Sequence, residues 1–331
     1  MSAFDTALTR DAGIAVPIIC GAMYPCSNPE LVGAVSAAGG IGIVQPVSLT
    51  YVHGHEFRAG LRLTMRLAEG RPVGMNALIE KSSRTYLARM ERWVDVALEE
   101  GVRFFITSLG NPRWVVDRAA QVGGVVYHDV TERKWAQKAV DAGARGLICV
   151  NARAGGHAGA LSAEALIAEC GDRGLPLVCA GGVGDADGFA TALSQGYAGV
   201  QMGTRFIATS ECSARDDYKA AIVRADASDI VLTERITGVP LAVIRTPYVE
   251  RIGTAIGPVA RALFRGRRTK HWMRAFYVLR SLRRLKRDSV AGAGTAEYWQ
   301  AGKSVAGIHE VVAAGDVVRR FLAAAAARGT A

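Results

Sequence analysis

Pro176-Leu177-Val178-Cys179-Ala180-Gly181-Gly182-Val183 is a short apolar run that stops at paired glycines. The form recurs at Ala198-Gly199-Val200-Gln201-Met202-Gly203-Thr204, with an amphipathic stretch at 186–194 in between. A run that is apolar on both faces is what a buried parallel strand requires, and the stretch between has the length of a helix. The spacing predicts a strand–helix–strand unit. Toward the N-terminus the alternation continues. Strands are expected at 16–20, 41–44, 72–77, 103–107, 125–128 and 146–150, and helices at 29–38, 56–68, 85–100, 112–121, 132–142 and 163–169. With 176–180 and 198–202 the strands number eight. Eight βα units within about 200 residues predict an α/β fold, a (β/α)8 TIM barrel. A doubly wound sheet, the alternative, would place a GxGxxG turn after its first strand. Gly21-Ala22-Met23-Tyr24-Pro25 stands there instead, which favours the barrel.

Residues 1–209 are thus expected to form the barrel core. Beyond Thr209 the alternation ends. Residues 210–300 read as a helical insertion or subdomain with a break at 238–247, and 301–331 as a loop followed by a helix, 310–327, that closes the ring. Glycine is abundant, 38 of 331 residues, but it is not periodic, so collagen-like and linker readings fail. With 50% hydrophobic and 21% charged residues the chain is too apolar for disorder. The formal charge of +10 is local: 261–287 carries 11 Lys/Arg and no Asp/Glu, leaving 29 basic against 30 acidic residues elsewhere. The chain as a whole is not built to coat a nucleic acid. The basic segment interleaves Trp272, Phe276, Tyr277 and several leucines with its cations. Three readings stand: a helix docked on the barrel, a site for an acidic substrate handle such as CoA or an acyl carrier, or a membrane-surface helix. No run nears ~18 uninterrupted apolar residues, so no membrane span is expected. The N-terminus, with Asp5, Arg10 and Asp11, has no apolar signal-peptide core. The six cysteines lack CxxC or metal-ligand spacing and read as small core residues in a reduced cytoplasm.

Active sites of such barrels lie at the C-terminal strand ends. There the sequence places Gly21-Ala22-Met23, Asn76, His128-Asp129, the loop Asn151-Ala152-Arg153-Ala154-Gly155-Gly156-His157-Ala158-Gly159, Ala180-Gly181-Gly182 and Gln201-Met202-Gly203-Thr204. The glycine turns after strands 7 and 8 expose backbone N–H groups where barrels commonly bind phosphate. So compact a cradle suits a monophosphate, hence a mononucleotide, and no GxxxxGK[ST] is present. His157, flanked by glycines, is the candidate general acid or base. His128 is a weaker candidate. His53, His55, His271 and His309 follow no strand end and read as structural.

In combination, Gly21-Ala22-Met23, Ala37-Ala38-Gly39-Gly40-Ile41-Gly42, Gly74-Met75-Asn76, Ala154-Gly155-Gly156-His157-Ala158-Gly159, Ala180-Gly181-Gly182-Val183 and Met202-Gly203-Thr204-Arg205-Phe206 resemble the nitronate monooxygenases (2-nitropropane dioxygenases). That family of FMN-dependent barrel enzymes includes the flavin-type enoyl-acyl-carrier-protein reductases. The resemblance spans about 17–210. It implies FMN, with phosphate held by Gly181, Gly182, Gly203 and Thr204, and Ala22 and Met23 against the isoalloxazine. It implies Asn76 at the ring's polar edge and His157 as catalytic histidine. Asn151, Ala154, Gly155, Gly156, Ala180 and Gln201 complete the implied cofactor site. His128 is matched to a position where relatives often carry a flavin-contacting lysine, and Asn151 to one where they carry Gln or Asp. Ala301-Gly302-Lys303-Ser304 resembles a late loop over the pocket. The activity implied is oxidation of small alkyl nitronates with O2. The alternative is an oxidoreductase acting on a CoA- or carrier-bound enoyl or oxo substrate, with NAD(P)H as reductant.

Overall fold

The computed structural model describes residues 4–80, 83–236, 238–257 and 298–327, so the basic segment 261–287 and its three readings lie outside the described residues. Strands β1 (Ile18–Cys20), β2 (Ile41–Val44), β3 (Gly74–Leu78), β4 (Phe104–Ser108), β5 (Val125–Val130), β6 (Gly146–Val150), β7 (Leu177–Ala180) and β8 (Gly199–Met202) are all parallel and close into a barrel in chain order. Ile18, Ile19 and Cys20 face Val200, Gln201 and Met202 where β8 meets β1. The eight-stranded barrel expected from the alternation is present. β5 runs two residues past the expected end at His128, and β1 and β3 begin two residues later than expected.

Successive side chains alternate between faces. Ile19, Ile41, Ile43, Phe104, Ile106, Tyr127, Ile148, Val178 and Ala180 fill the lumen. Cys20, Val44, Met75, Phe105, Val126, Leu147 and Cys149 face outward under the helices. Both sets are apolar, which is why the strands read as unbroken hydrophobic runs. All six cysteines are buried and free.

Helices α1 (Ala7–Ala12), α2 (Pro29–Ala37), α3 (Phe57–Leu67), α4 (Arg84–Glu99), α5 (Arg113–Ala120), α6 (Arg133–Asp141), α7 (Ala163–Cys170) and α8 (Ala186–Ser194) precede β8. The sequence reading did not include α1. It starts at a Thr6–Thr9 capping box, and Leu8 and Ala12 join the lumen cluster at the barrel's N-terminal end. After β8 the chain makes only one turn, α9 (Thr204–Ile207). The vacant place in the helical ring is taken by the C-terminal helix Ala314–Ala327, packed against α8 and α2. It begins later than residue 310 because Val312 is extended and bridges Thr209.

Residues 210–257 are not purely helical. Between α10 (Asp216–Arg224) and α11 (Pro247–Ile252), β9 (Ile230–Thr233) and β10 (Leu241–Ile244) form an antiparallel hairpin, where only a break was expected at 238–247. Ile236, Leu241, Val243, Val249 and Tyr298 form a separate apolar cluster, joined by Tyr24, Tyr248 and Ile252.

The helix–barrel contact is tightest at β2. A Cβ on Gly42 would lie 2.2 Å from the Val32 carbonyl oxygen of α2. Gly42→Ala is therefore expected to cost about 2–3 kcal/mol in urea unfolding. Gly257→Ala, with no atom of the described residues within 4 Å of the added carbon, serves as the control.

Candidate active site

Asn151 organises the turns at the C-terminal ends of β6 and β7. Its side-chain N–H donates to the Gly181 carbonyl at 3.0 Å, and its Oδ1 accepts from the Arg153 N–H at 2.8 Å. Asn151 is 1% exposed, so its polar atoms are committed to the chain. Gly181 and Gly182 adopt φ +119° and +84°, conformations open to glycine, and a Cβ on Gly181 would lie 2.4 Å from Asn151 Oδ1. The Arg153 side chain lies against Gly182, with Nε 2.6 Å from where a Cβ would stand. This cation beside the turn was missed in the sequence, although it lies within the motif.

Three backbone segments close the other side. The Gly302 N–H donates to Thr204 Oγ1 at 3.0 Å, and the Lys303 N–H to the Arg153 carbonyl at 2.9 Å. A Cβ on Gly302 would stand 2.6 Å from the Gly155 nitrogen, and one on Gly155 would stand 2.9 Å from the Gly302 nitrogen. Ala301 through Ser304 therefore lies directly over the β6 loop and the β8 turn. On the β1 side, the Met23 sulfur reaches to 3.3 Å of a Cβ position on Gly203, and Gln201 packs on Gly21. Ala22 and Met23 are half-buried, Ala154 and Ala180 buried. The glycine turns after β7 and β8, the β1 loop and the β6 loop are thus brought together as expected. A cradle of amides with room only for glycine suits a phosphate.

His157 is exposed at the tip of the β6 loop. The Ala242 N–H of β10 donates to the Gly156 carbonyl at 2.8 Å and ties the hairpin to this loop. The chain around His157 displaces enough water to lower its pKa below the usual imidazole value, so the ring is a neutral proton acceptor near pH 7.

β5 corrects the sequence reading. His128 does not stand at the strand end. It shares the outward face of β5 with Val126 and Val130, and its Nδ1 lies 2.8 Å from Thr107 Oγ1 of β4. Burial lowers its pKa to about 4, so it is neutral. The lumen-facing residue is its neighbour Asp129, of the same parity as Tyr127. Asn76 of β3 and Gln201 of β8 have lumen parity as well. Asp129 Oδ1 and Gln201 Oε1 are buried without a hydrogen-bond partner. Burial raises the Asp129 pKa to about 7. The signal that could have found Asp129 was strand period: carrying β5 on to Val130 puts Val125, Tyr127 and Asp129 on one face.

Unsatisfied buried oxygens are costly in isolation, and they point to a polar ligand in the mouth. The mouth thus presents an amide cradle with a nearby arginine, polar side chains in the lumen and a neutral histidine. A phosphorylated ring system with polar edges fits these residues. Among the described residues no His, Cys, Asp and Glu group is placed to hold a metal, and no helix is long and apolar enough to cross a membrane.

A model of the family "nitronate monooxygenase" matches residues 5–320. The (3aS,4S,5R,7aS)-5-hydroxy-7a-methyl-1-oxo-octahydro-1H-indene-4-carboxyl-CoA dehydrogenase of Rhodococcus jostii is 30% identical over 266 residues, 79% of this chain and 72% of the relative. Nitronate monooxygenase of Pseudomonas aeruginosa is 29% identical over 273 residues, 70% of this chain and 77% of the relative. The solved structure of FabK from Thermotoga maritima superposes with a TM-score of 0.78 at 27% identity, covering 98% of this chain and 97% of that one.

Asp129 carries a testable cost. Its folded pKa of about 7 stands above the value of about 3.9 expected in the unfolded chain, so the folded state holds the proton more tightly. Stability falls as pH rises from about 4 to about 7, and the cost is complete above that range. In thermal melts of the ligand-free protein, Asp129→Asn is expected to be more stable than the parent at pH 8, on the order of 2 kcal/mol, with the gain shrinking toward pH 4.

Proposed function

The chain belongs to the nitronate monooxygenase family of flavin-dependent oxidoreductases, and from that premise we propose that it binds FMN in the barrel mouth and dehydrogenates an apolar acyl group carried on CoA. The observation that carries the CoA reading is its likeness to a carboxyl-CoA dehydrogenase over 79% of the chain. The apolar hairpin cluster beside the His157 loop supports it, since the half-buried Tyr24 and Tyr248, backed by the buried Tyr298, offer a surface to an apolar substrate. The 11 cations of 261–287 suit the phosphates of CoA, which a small nitronate lacks.

In this reading Gly181, Gly182, Gly203 and Thr204 hold the FMN phosphate, with Arg153 balancing its charge. Ala22 and Met23 lie along the ring, Asn76 and Gln201 meet its polar edges, and Ala154, Gly155, Gly156 and Ala180 shape the cradle. Asn151 positions the cradle rather than the cofactor, and His128 stands outside it. Bound FMN would supply two-electron redox chemistry, and the protein supplies placement and proton management. His157, held neutral by desolvation, takes a proton from the substrate. The hairpin fixed to Gly156 keeps that histidine at the entrance and water away from the apolar group.

A second reading, oxidation of small alkyl nitronates with O2, is favoured by the likeness to the Pseudomonas enzyme. The same histidine would then stabilise the anionic substrate. Anaerobic stopped-flow mixing separates the two. Bleaching of the flavin by a hydroxyacyl-CoA with an alicyclic acyl group, but not by propionate 3-nitronate, is the expected result, and the converse favours the nitronate reading. Bleaching by NAD(P)H, with reoxidation by an enoyl-CoA, would reverse the proposed direction. His157→Ala is expected to keep its FMN and lose turnover by about 10²-fold or more. Charge reversal at Arg267, Arg268 and Lys270 should raise KM for the CoA substrate, with the difference shrinking at high salt.

A further inference from the structure

Asp129 is an unusual residue for the mouth of this barrel. Every other lumen-facing position of the described strands is uncharged: Ile19; Ile41 and Ile43; Gly74 and Asn76; Phe104, Ile106 and Ser108; Val125 and Tyr127; Gly146, Ile148 and Val150; Val178 and Ala180; Gly199 and Gln201. On β6 its register partner is the apolar Ile148, and on β4 the Thr107 hydroxyl lies on Nδ1 of its neighbour His128. The titratable and charged groups that the described residues place at this end of the barrel include Lys303, whose backbone lies over the β6 loop, and Asp185, which caps α8 after β7. His157 is exposed on the β6 loop, and Arg153 of the same loop lies against Gly182. Glu80, beyond the end of β3, acts on Tyr86 of α4. Tyr24 on the β1 loop is held neutral by burial. His128 on β5 itself points to the helices. None of these acts electrostatically on Asp129, and desolvation is the one cause that shifts it.

Among the described residues, a carboxylate in that setting has no cation to balance it and no donor for its buried Oδ1. A neutral carboxylic acid suits the place better, because it offers one O–H donor and needs no counter-charge. Flavins present oxygen and nitrogen acceptors along one edge of the ring. We propose that Asp129 is a specificity-determining contact of the flavin site, entering the complex as a neutral acid that donates a hydrogen bond to the acceptor edge of the ring. Flavin binding is thereby coupled to the uptake or retention of one proton. The inference rests on the flavin reading of the mouth and deepens it. It assigns to Asp129 the lumen position that strand parity denies to His128.

The consequence is a pH-dependent affinity. If the free protein must hold a proton on Asp129 to bind flavin, the apparent dissociation constant is flat at low pH and rises above pH 7, about tenfold by pH 8. The test is FMN binding to the apoprotein, followed by quenching of flavin fluorescence between pH 5.5 and 8.5, for the parent and for Asp129→Asn. Asparagine keeps a donor and cannot ionise, so the variant is expected to bind with little change in affinity above pH 7. Titration of the FMN phosphate is common to both proteins and cancels in their ratio. Riboflavin, which lacks phosphate, should show the same rise with the parent protein. An unchanging ratio of the two dissociation constants from pH 6 to 8.5 overturns the proposal. So does a parent affinity for riboflavin that does not vary with pH, which needs no variant to fold. Failure of the parent to bind any flavin at every pH overturns the flavin reading itself, and this inference with it.

Discussion

Backbone meets backbone at the rim of the barrel, and the mouth exists only because Gly155 and Gly302 leave that contact free of side chains. The two segments approach so closely that a Cβ on either would stand within 3 Å of the other's nitrogen. Thr204 Oγ1 and the Arg153 carbonyl then take hydrogen bonds from Gly302 and Lys303. One contact thereby fixes the β6 loop, the β8 turn and the segment that leads into the C-terminal helix. That helix fills the last place in the ring, so the closure of the fold and the shape of the cradle depend on the same few ångströms.

Much of this was legible in the sequence, for physical reasons. Parallel strands buried on both faces leave unbroken apolar runs, and glycines at their ends mark turns that must pass close to other backbone. The meeting of the glycine turns after β7 and β8 with the His157 loop could be read from those two signals. The rest escaped for reasons equally concrete. The hairpin of β9 and β10 has strands of four residues each, too short for period to separate from loop. Helix α1 seals the barrel with few apolar residues. Most instructive is β5. Ending it at His128 put the histidine at the rim, whereas two further residues turn it outward and bring Asp129 into the lumen. A one-residue change in phase exchanges a neutral imidazole for a titrating acid.

Asn151 teaches a similar lesson. The family resemblance implied a cofactor contact for it, but both ends of its amide are used to hold the Gly181 turn and the Arg153 backbone. It acts on the cradle by shaping it. The charge of the chain divides in the same way. The barrel is nearly neutral, and the cations concentrate in one stretch of sequence. In the proposed reading the chemistry belongs to the neutral mouth, and delivery of an anionic carrier belongs to the basic stretch.

The central claim is that the glycine turns after β7 and β8 seat the phosphate of a flavin mononucleotide. A crystal structure of the protein grown with FMN measures this most directly. The account predicts phosphate oxygens within hydrogen-bonding distance of backbone N–H groups at Gly181–Gly182 and Gly203–Thr204. A flavin phosphate seated elsewhere, with those amides facing only water, would contradict it.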